Sequence, residues 1–177
     1  MAIITIGDDE INEQINLNFK RMNEPFYDID NVFAPLDARW PGDKEGRALL
    51  AFVSLVNAGT EKIGCMEKLI EKLPAMLNRK GYLGPVKEEF FEQQLSGHSW
   101  LLRGLCEYYE KYGGENILGI INGIKDNLYL PLKGKIKDYP TQRFNNNDGD
   151  VDGHTNDTVE NWLLSTDTCC AFMSIDG

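Results

Sequence analysis

Cysteine is scarce in this chain of 177 residues, and the four present, Cys65, Cys106, Cys169 and Cys170, show none of the spacing of a secreted disulfide framework. A bridge between the adjacent Cys169 and Cys170 would close a strained ring, so reduced thiols and a cytoplasmic chain are expected. Long apolar runs are missing too. No window approaches the ~18 uninterrupted apolar residues of a membrane span, and the opening Met1 to Asp8 has no basic flank and is too short for a signal core. Basic residues are outnumbered, 18 Lys and Arg against 28 Asp and Glu, for a net charge of −10. That balance argues against nucleic acid and anionic membranes as partners. Period-two alternation does not extend beyond the first six residues, which speaks against a sheet. What is present, 42% hydrophobic against 26% charged residues, supplies one sizeable core. At ~150 residues per domain, the length fits a single helical domain over residues 1–177.

Helical periodicity organises most of the chain. Ile11, Ile15 and Phe19 recur at four-residue steps and predict a first helix over 10–22. A long aromatic-rich loop follows from Glu24 to Asp43, punctuated by Pro25, Pro35, Pro41 and Gly42. Leu49, Phe52, Val53 and Val56 mark a helix over 44–58, with Gly59 where a left-handed cap belongs. Ile63, Met66, Leu69, Ile70, Leu73 and Leu77 mark the next, with Pro74 expected to kink its last turn, and the stretch 78–85 ends it. A second hairpin pairs a helix through Trp100, Leu101, Leu105 and Tyr108, closed by Gly113-Gly114, with one through Ile117, Ile120, Ile121, Ile124 and Leu128. A polar stretch, 133–158, precedes a final helix over 159–173 carrying Trp162, Thr166, Cys169 and Met173 on one side. The fold class is therefore all-α, five or six helices in successive hairpins. Such hairpins close into a bundle or form an arc of an α/α toroid. The long aromatic and Asn/Asp-rich loops favour the arc, since a bundle has no use for them.

Four groups of residues could carry chemistry. His98 follows Ser96-Gly97 just ahead of the most apolar helix. With Ser96 as N-cap, the ring lies in the first helical turn, where a neutral imidazole can hydrogen-bond a sugar hydroxyl or a carboxylate. If 87–112 is instead one helix, His98 shares a face with Phe91, Leu95, Leu102 and Leu105 and is a satisfied core residue. Asp148, Asp150, Asp152 and Gly153 match the opening of an EF-hand calcium loop, so calcium is a candidate ligand, but Val159 stands where the bidentate Glu belongs. A solvated loop or decoration of a helix N-terminus accounts for the same residues. Cys169-Cys170 with His154 or Asp167 contains soft-metal donors without the usual spacing, and small buried hydrophobes are the plainer role for these thiols. Trp40 with Asp37 and Arg39 suits a sugar: an indole stacks on C–H groups while charged groups fix hydroxyls. Core packing explains Trp40 equally well.

Several stretches taken together resemble a known family. They are Trp40 to Leu55, Gly81-Tyr82-Leu83, Gln94-Leu95-Ser96-Gly97-His98 with Trp100-Leu101-Leu102-Arg103-Gly104, and Asn161 to Asp167 before Cys170-Ala171-Phe172. They resemble the N-terminal half of glycoside hydrolase family 127, which contains β-L-arabinofuranosidases. The resemblance implies an (α/α)6 toroid and hydrolysis of a terminal sugar such as β-L-arabinofuranose, with Gly97-His98 reaching the sugar. The leading expectation is the N-terminal part of such an enzyme, contributing His98, Trp40, Asp37, Arg39, Gln94 and His154 to a sugar pocket without the full catalytic set. The family's catalytic cysteine, acidic partner and zinc-holding cysteines lie later in its members' chains, so zinc is expected of the family without ligands matched here. Cys169-Cys170 takes over neither role. A ring needs about twelve helices and this chain supplies about half, so a second copy or a C-terminal half is the expected partner besides carbohydrate. A non-catalytic helical carbohydrate-binding or protein-interaction module is the competing expectation.

Overall fold

The computed structural model describes residues 8–33, 40–86 and 92–132. Helix α1, Asp8–Met22, opens on Asp8, Asp9 and Glu10 and closes on Lys20 and Arg21, so both ends complement the helix dipole. Ile15, Phe19 and Met22 lean on the core, but no residue of α1 is buried and Ile11 and Leu17 face solvent. The stretch expected to be a long aromatic-rich loop contains a 3-10 turn, Pro25–Tyr27, and a one-turn helix α2, Ile29–Val32. Proline fixes the backbone angle that starts the first of these.

Helix α3, Asp43–Asn57, buries Leu49, Phe52 and Val53 on one side. It ends as the glycine foretells: Gly59 is left-handed, the Thr60 N–H bonds the Leu55 carbonyl and the Gly59 N–H bonds that of Val56. Helix α4, Gly64–Met76, contributes Met66, Leu69 and Leu73, and Pro74 stands on its exposed side two residues before the helix stops. Helix α5 is Glu92–Tyr112, and after the left-handed Gly113 and Gly114 comes α6, Glu115–Ile124. The apolar period past Ile124 does not continue as regular helix. It runs into a π turn, Lys125–Tyr129, and a 3-10 turn, Leu130–Leu132.

Glycine contacts fix the direction of the helices. The missing Cβ of Gly46 would lie 2.2 Å from the Leu101 amide nitrogen, and that of Gly104 lies 2.9 Å from the Gly46 carbonyl. Gly42 faces Gly97 one turn earlier on both helices. α3 and α5 therefore run parallel at backbone contact, joined by a chain that must turn back through α4. Tyr129, beyond α6, returns to the Leu95 carbonyl at 2.6 Å, so the α5–α6 hairpin is antiparallel as expected. At the far end of the parallel pair, Lys111 donates to Asn57. The core fills the space between these elements with Phe52, Met66, Leu69, Leu101, Leu105 and Ile124, each fully or nearly fully buried. Among the described residues there is no strand, and no helix is long and apolar enough to cross a membrane. The helix expected over 159–173 lies outside the described residues.

Candidate functional site

Four pieces of chain converge at one end of the parallel pair: the entry to α3 at Trp40 to Glu45, the turn Asn78 to Val86, the first turns of α5 and Tyr129. Pro41 is the wedge between them. A Cβ on Gly84 would fall 2.5 Å from its ring, and one on Gly97 would fall 2.3 Å from its carbonyl oxygen. Only glycine admits such contact. Gly42 is left-handed at φ 92°, and its N–H donates to the Glu45 carboxylate at 3.2 Å. This is the reach-back half of a capping box, the other half being impossible for a residue without a side chain. Glu45 is thereby a buried carboxylate, 1% exposed, at the helix end where the dipole favours negative charge. Sequence inspection passed it over, although a Glu three residues after a Gly-capped start is the pattern that marks it.

The turn is braced from inside and from α5. Asn78 accepts from the Lys80 N–H through its side-chain oxygen and donates to the Gly84 carbonyl. Gln94 and His98, one helical turn apart on the same face of α5, take the other side. Gln94 Nε2 donates to the carbonyls of Leu83, at 2.9 Å, and Pro85, at 3.0 Å. The Leu83 N–H donates to His98 Nε2 at 2.9 Å, so the ring proton sits on Nδ1, which donates to the Gln94 carbonyl at 2.7 Å. Tyr82 meets the imidazole edge-on, with ring centroids 5.9 Å apart. Full burial pushes the His98 pKa down to about 4, against a smaller upward pull from the Gln94 carbonyl. The ring is neutral at pH 7.

This geometry corrects the expectation for His98. α5 starts at Glu92, Ser96 lies inside the helix as a buried residue rather than at its cap, and the imidazole is 0% exposed with both nitrogens engaged by backbone. It is the satisfied core residue of the alternative reading, and it has no free nitrogen for a sugar hydroxyl. Gln94, expected to line a sugar pocket, is 2% exposed and engaged in the same brace. Trp40 stands half-buried at the entry to α3. Asp37, Arg39, His154, Asp148, Asp150 and Asp152 lie outside the described residues.

Comparison with protein-family models, with curated proteins and with solved structures finds no match. The site must be read from its own chemistry. Among the described residues no group of three or more His, Cys, Asp or Glu side chains could hold a metal ion. Burial raises the thiol pKa of Cys65 and of Cys106, with nearby carboxylates adding to the effect at Cys106, so neither is a thiolate nucleophile at pH 7. What the convergence offers is a braced turn, held by side chains at the N–H groups of Lys80 and Leu83 and the carbonyls of Leu83, Gly84 and Pro85, next to an α3 entry that carries the half-buried Trp40 and the buried Glu45.

Proposed function

We propose that this chain is a sugar-binding helical domain of glycoside hydrolase type, one arc of an α/α ring, with a terminal sugar such as β-L-arabinofuranose held at the rim beside Trp40. One observation carries the reading. Three of the sequence stretches that resemble family 127, at 40–55, 81–83 and 94–98, meet at a single end of the fold through Pro41, Leu83, Gly97 and His98. Parallel packing of alternate helices, α3 on α5, also suits a ring of hairpins, in which every second helix runs the same way. In this reading Gln94 and His98 are positioning residues: they fix the turn that forms the wall, and Trp40 supplies the stacking face.

A second reading, binding without catalysis, is favoured by the neutral, fully engaged His98 and the protonated thiols, which leave these groups no acid–base or nucleophilic role. One experiment addresses both. Titration of methyl β-L-arabinofuranoside followed by NMR shift perturbation is expected to show saturable binding that Trp40→Ala weakens about tenfold. Release of p-nitrophenol from an aryl pentofuranoside panel separates the two readings. Binding with turnover supports the enzyme, binding without turnover supports the module, and absence of binding to any pentofuranoside refutes the sugar reading itself.

A further inference from the structure

The charge of the chain is strongly acidic, yet one patch on the α3–α5 face has an excess of hydrogen-bond donors. The guanidinium of Arg47 lies 4.3 Å from the centroid of the Trp100 ring, and that of Arg103, one turn along α5, lies 6.0 Å from it. Stacking on an indole presets a guanidinium while leaving its N–H fork directed outward. Arg47 gives its Nε to Asp43 at 2.9 Å, which holds the side chain in place and leaves both terminal nitrogens for another acceptor; the side chain is 55% exposed. Arg103 is exposed and makes no ion pair among the described residues. The Trp100 Nε1–H is shielded from solvent, with no acceptor among the described residues, so the indole acts here as a stacking platform and not as a donor. Two guanidinium forks set against one indole, with Asp43 the one carboxylate paired to them among the described residues, leave donors for a further oxyanion.

We propose that Arg47, Trp100 and Arg103 form a carboxylate-binding subsite that selects acidic glycans, its ligand group being the carboxylate of a uronic acid residue. The paired planar forks match a carboxylate better than a neutral hydroxyl, which gains nothing from a second positive charge. Arg47 lies little more than one helical turn past the Trp40 to Gly42 entry, so the subsite adjoins the rim and fits a neighbouring unit of the same glycan. The proposal rests on the sugar reading above, and the following test separates the two.

Trigalacturonate and a neutral arabinotriose are titrated into the full chain by calorimetry at low and moderate salt. Trigalacturonate is expected to bind at least about tenfold tighter, with the difference shrinking as salt rises. Arg47→Gln and Arg103→Gln are each expected to weaken the uronate about tenfold and to leave the neutral sugar unchanged, and the Lys variants to recover only part of the loss because an ammonium has no fork. Lys111→Gln, the same charge change about two helical turns past Arg103 on α5, is the control and should have no effect. Equal affinity for the two ligands, or an equal loss in the Lys111 variant, would overturn the subsite while Trp40-dependent neutral binding kept the sugar reading. Binding of neither ligand overturns both. Uronate binding untouched by the Arg variants, with a change in their sedimentation, would reassign the patch to contact between protein surfaces and also defeats the proposal.

Discussion

Acidifying the solution tests the His98 brace directly. The folded chain holds this imidazole at a pKa of about 4, against 6.5 for an ordinary histidine, chiefly because burial penalises its charged form. At pH 7 the ring is neutral whether the chain is folded or not, so no linkage penalty exists there. As pH falls through 6.5, the unfolded chain takes up a proton that the folded chain refuses. Stability then declines by about 1.4 kcal/mol per pH unit until the folded value is reached, for a total of about 3 kcal/mol. By pH 5, above the range of most carboxylates, the loss should be about 2 kcal/mol. Urea unfolding followed by far-ultraviolet circular dichroism at pH 7, 6, 5.5 and 5 measures it. His98→Gln is the reference: its amide oxygen can accept the Leu83 N–H but takes no proton. The variant should start lower at pH 7, by about 1–3 kcal/mol, since the Nδ1–H donor and the ring's packing are lost. The difference between the two proteins should then narrow by about 2 kcal/mol on going to pH 5. His154 is common to both and cancels. Parallel stability curves for wild type and variant across this range would show that the ring is not sealed, and the account of the brace would be wrong.

Three further outcomes follow from the packing. Gly46→Ala forces a methyl to within 2.2 Å of backbone on α5, and should cost about 3 kcal/mol or more in urea unfolding because no flexible side chain can give way. Gly119→Ala, on the exposed side of α6 with open space around its Cβ position, should raise stability by about 0.5–1 kcal/mol, seen as a higher melting temperature. Tyr129→Phe removes the hydroxyl that donates to the Leu95 carbonyl at 2.6 Å. It should cost about 0.5–1.5 kcal/mol and speed amide hydrogen exchange in the π turn.

Helices α1, α3, α4 and α6 were legible because each repeats apolar residues at helical spacing, and α1 and α3 also carry an end signal, a basic last turn and Gly59 respectively. The start of α5 was not. Ser96-Gly97 resembles a cap followed by a breaker, whereas Gly97 is there because the Pro41 carbonyl occupies the place of a side chain. A glycine that permits close approach and one that ends a helix look alike until the neighbour is known. For the same reason the parallel contact of α3 with α5 could not be read: it is carried by Gly42, Gly46, Gly97 and Gly104, which count against helix by propensity. The π turn at Lys125–Tyr129 was equally hidden, since Leu128 keeps the apolar pattern while the Tyr129 hydroxyl reaches α5. At the site, residue type did not disclose the bonding of Gln94 and His98. Trp40, Gln94 and His98 do gather at one end, but the partners that occupy Gln94 and His98 are backbone groups of Leu83 and Pro85, which no side-chain motif records.

The seam between α3 and α5 also sets an order of assembly. Gly46 meets Leu101 across about fifty-five residues of chain, so during synthesis the apolar side of α3 waits, uncovered, until α4 and the turn have emerged and α5 arrives. α4 offers it little cover in the meantime. The stretch from Leu49 to Val53 therefore gains its cover only once α5 has appeared.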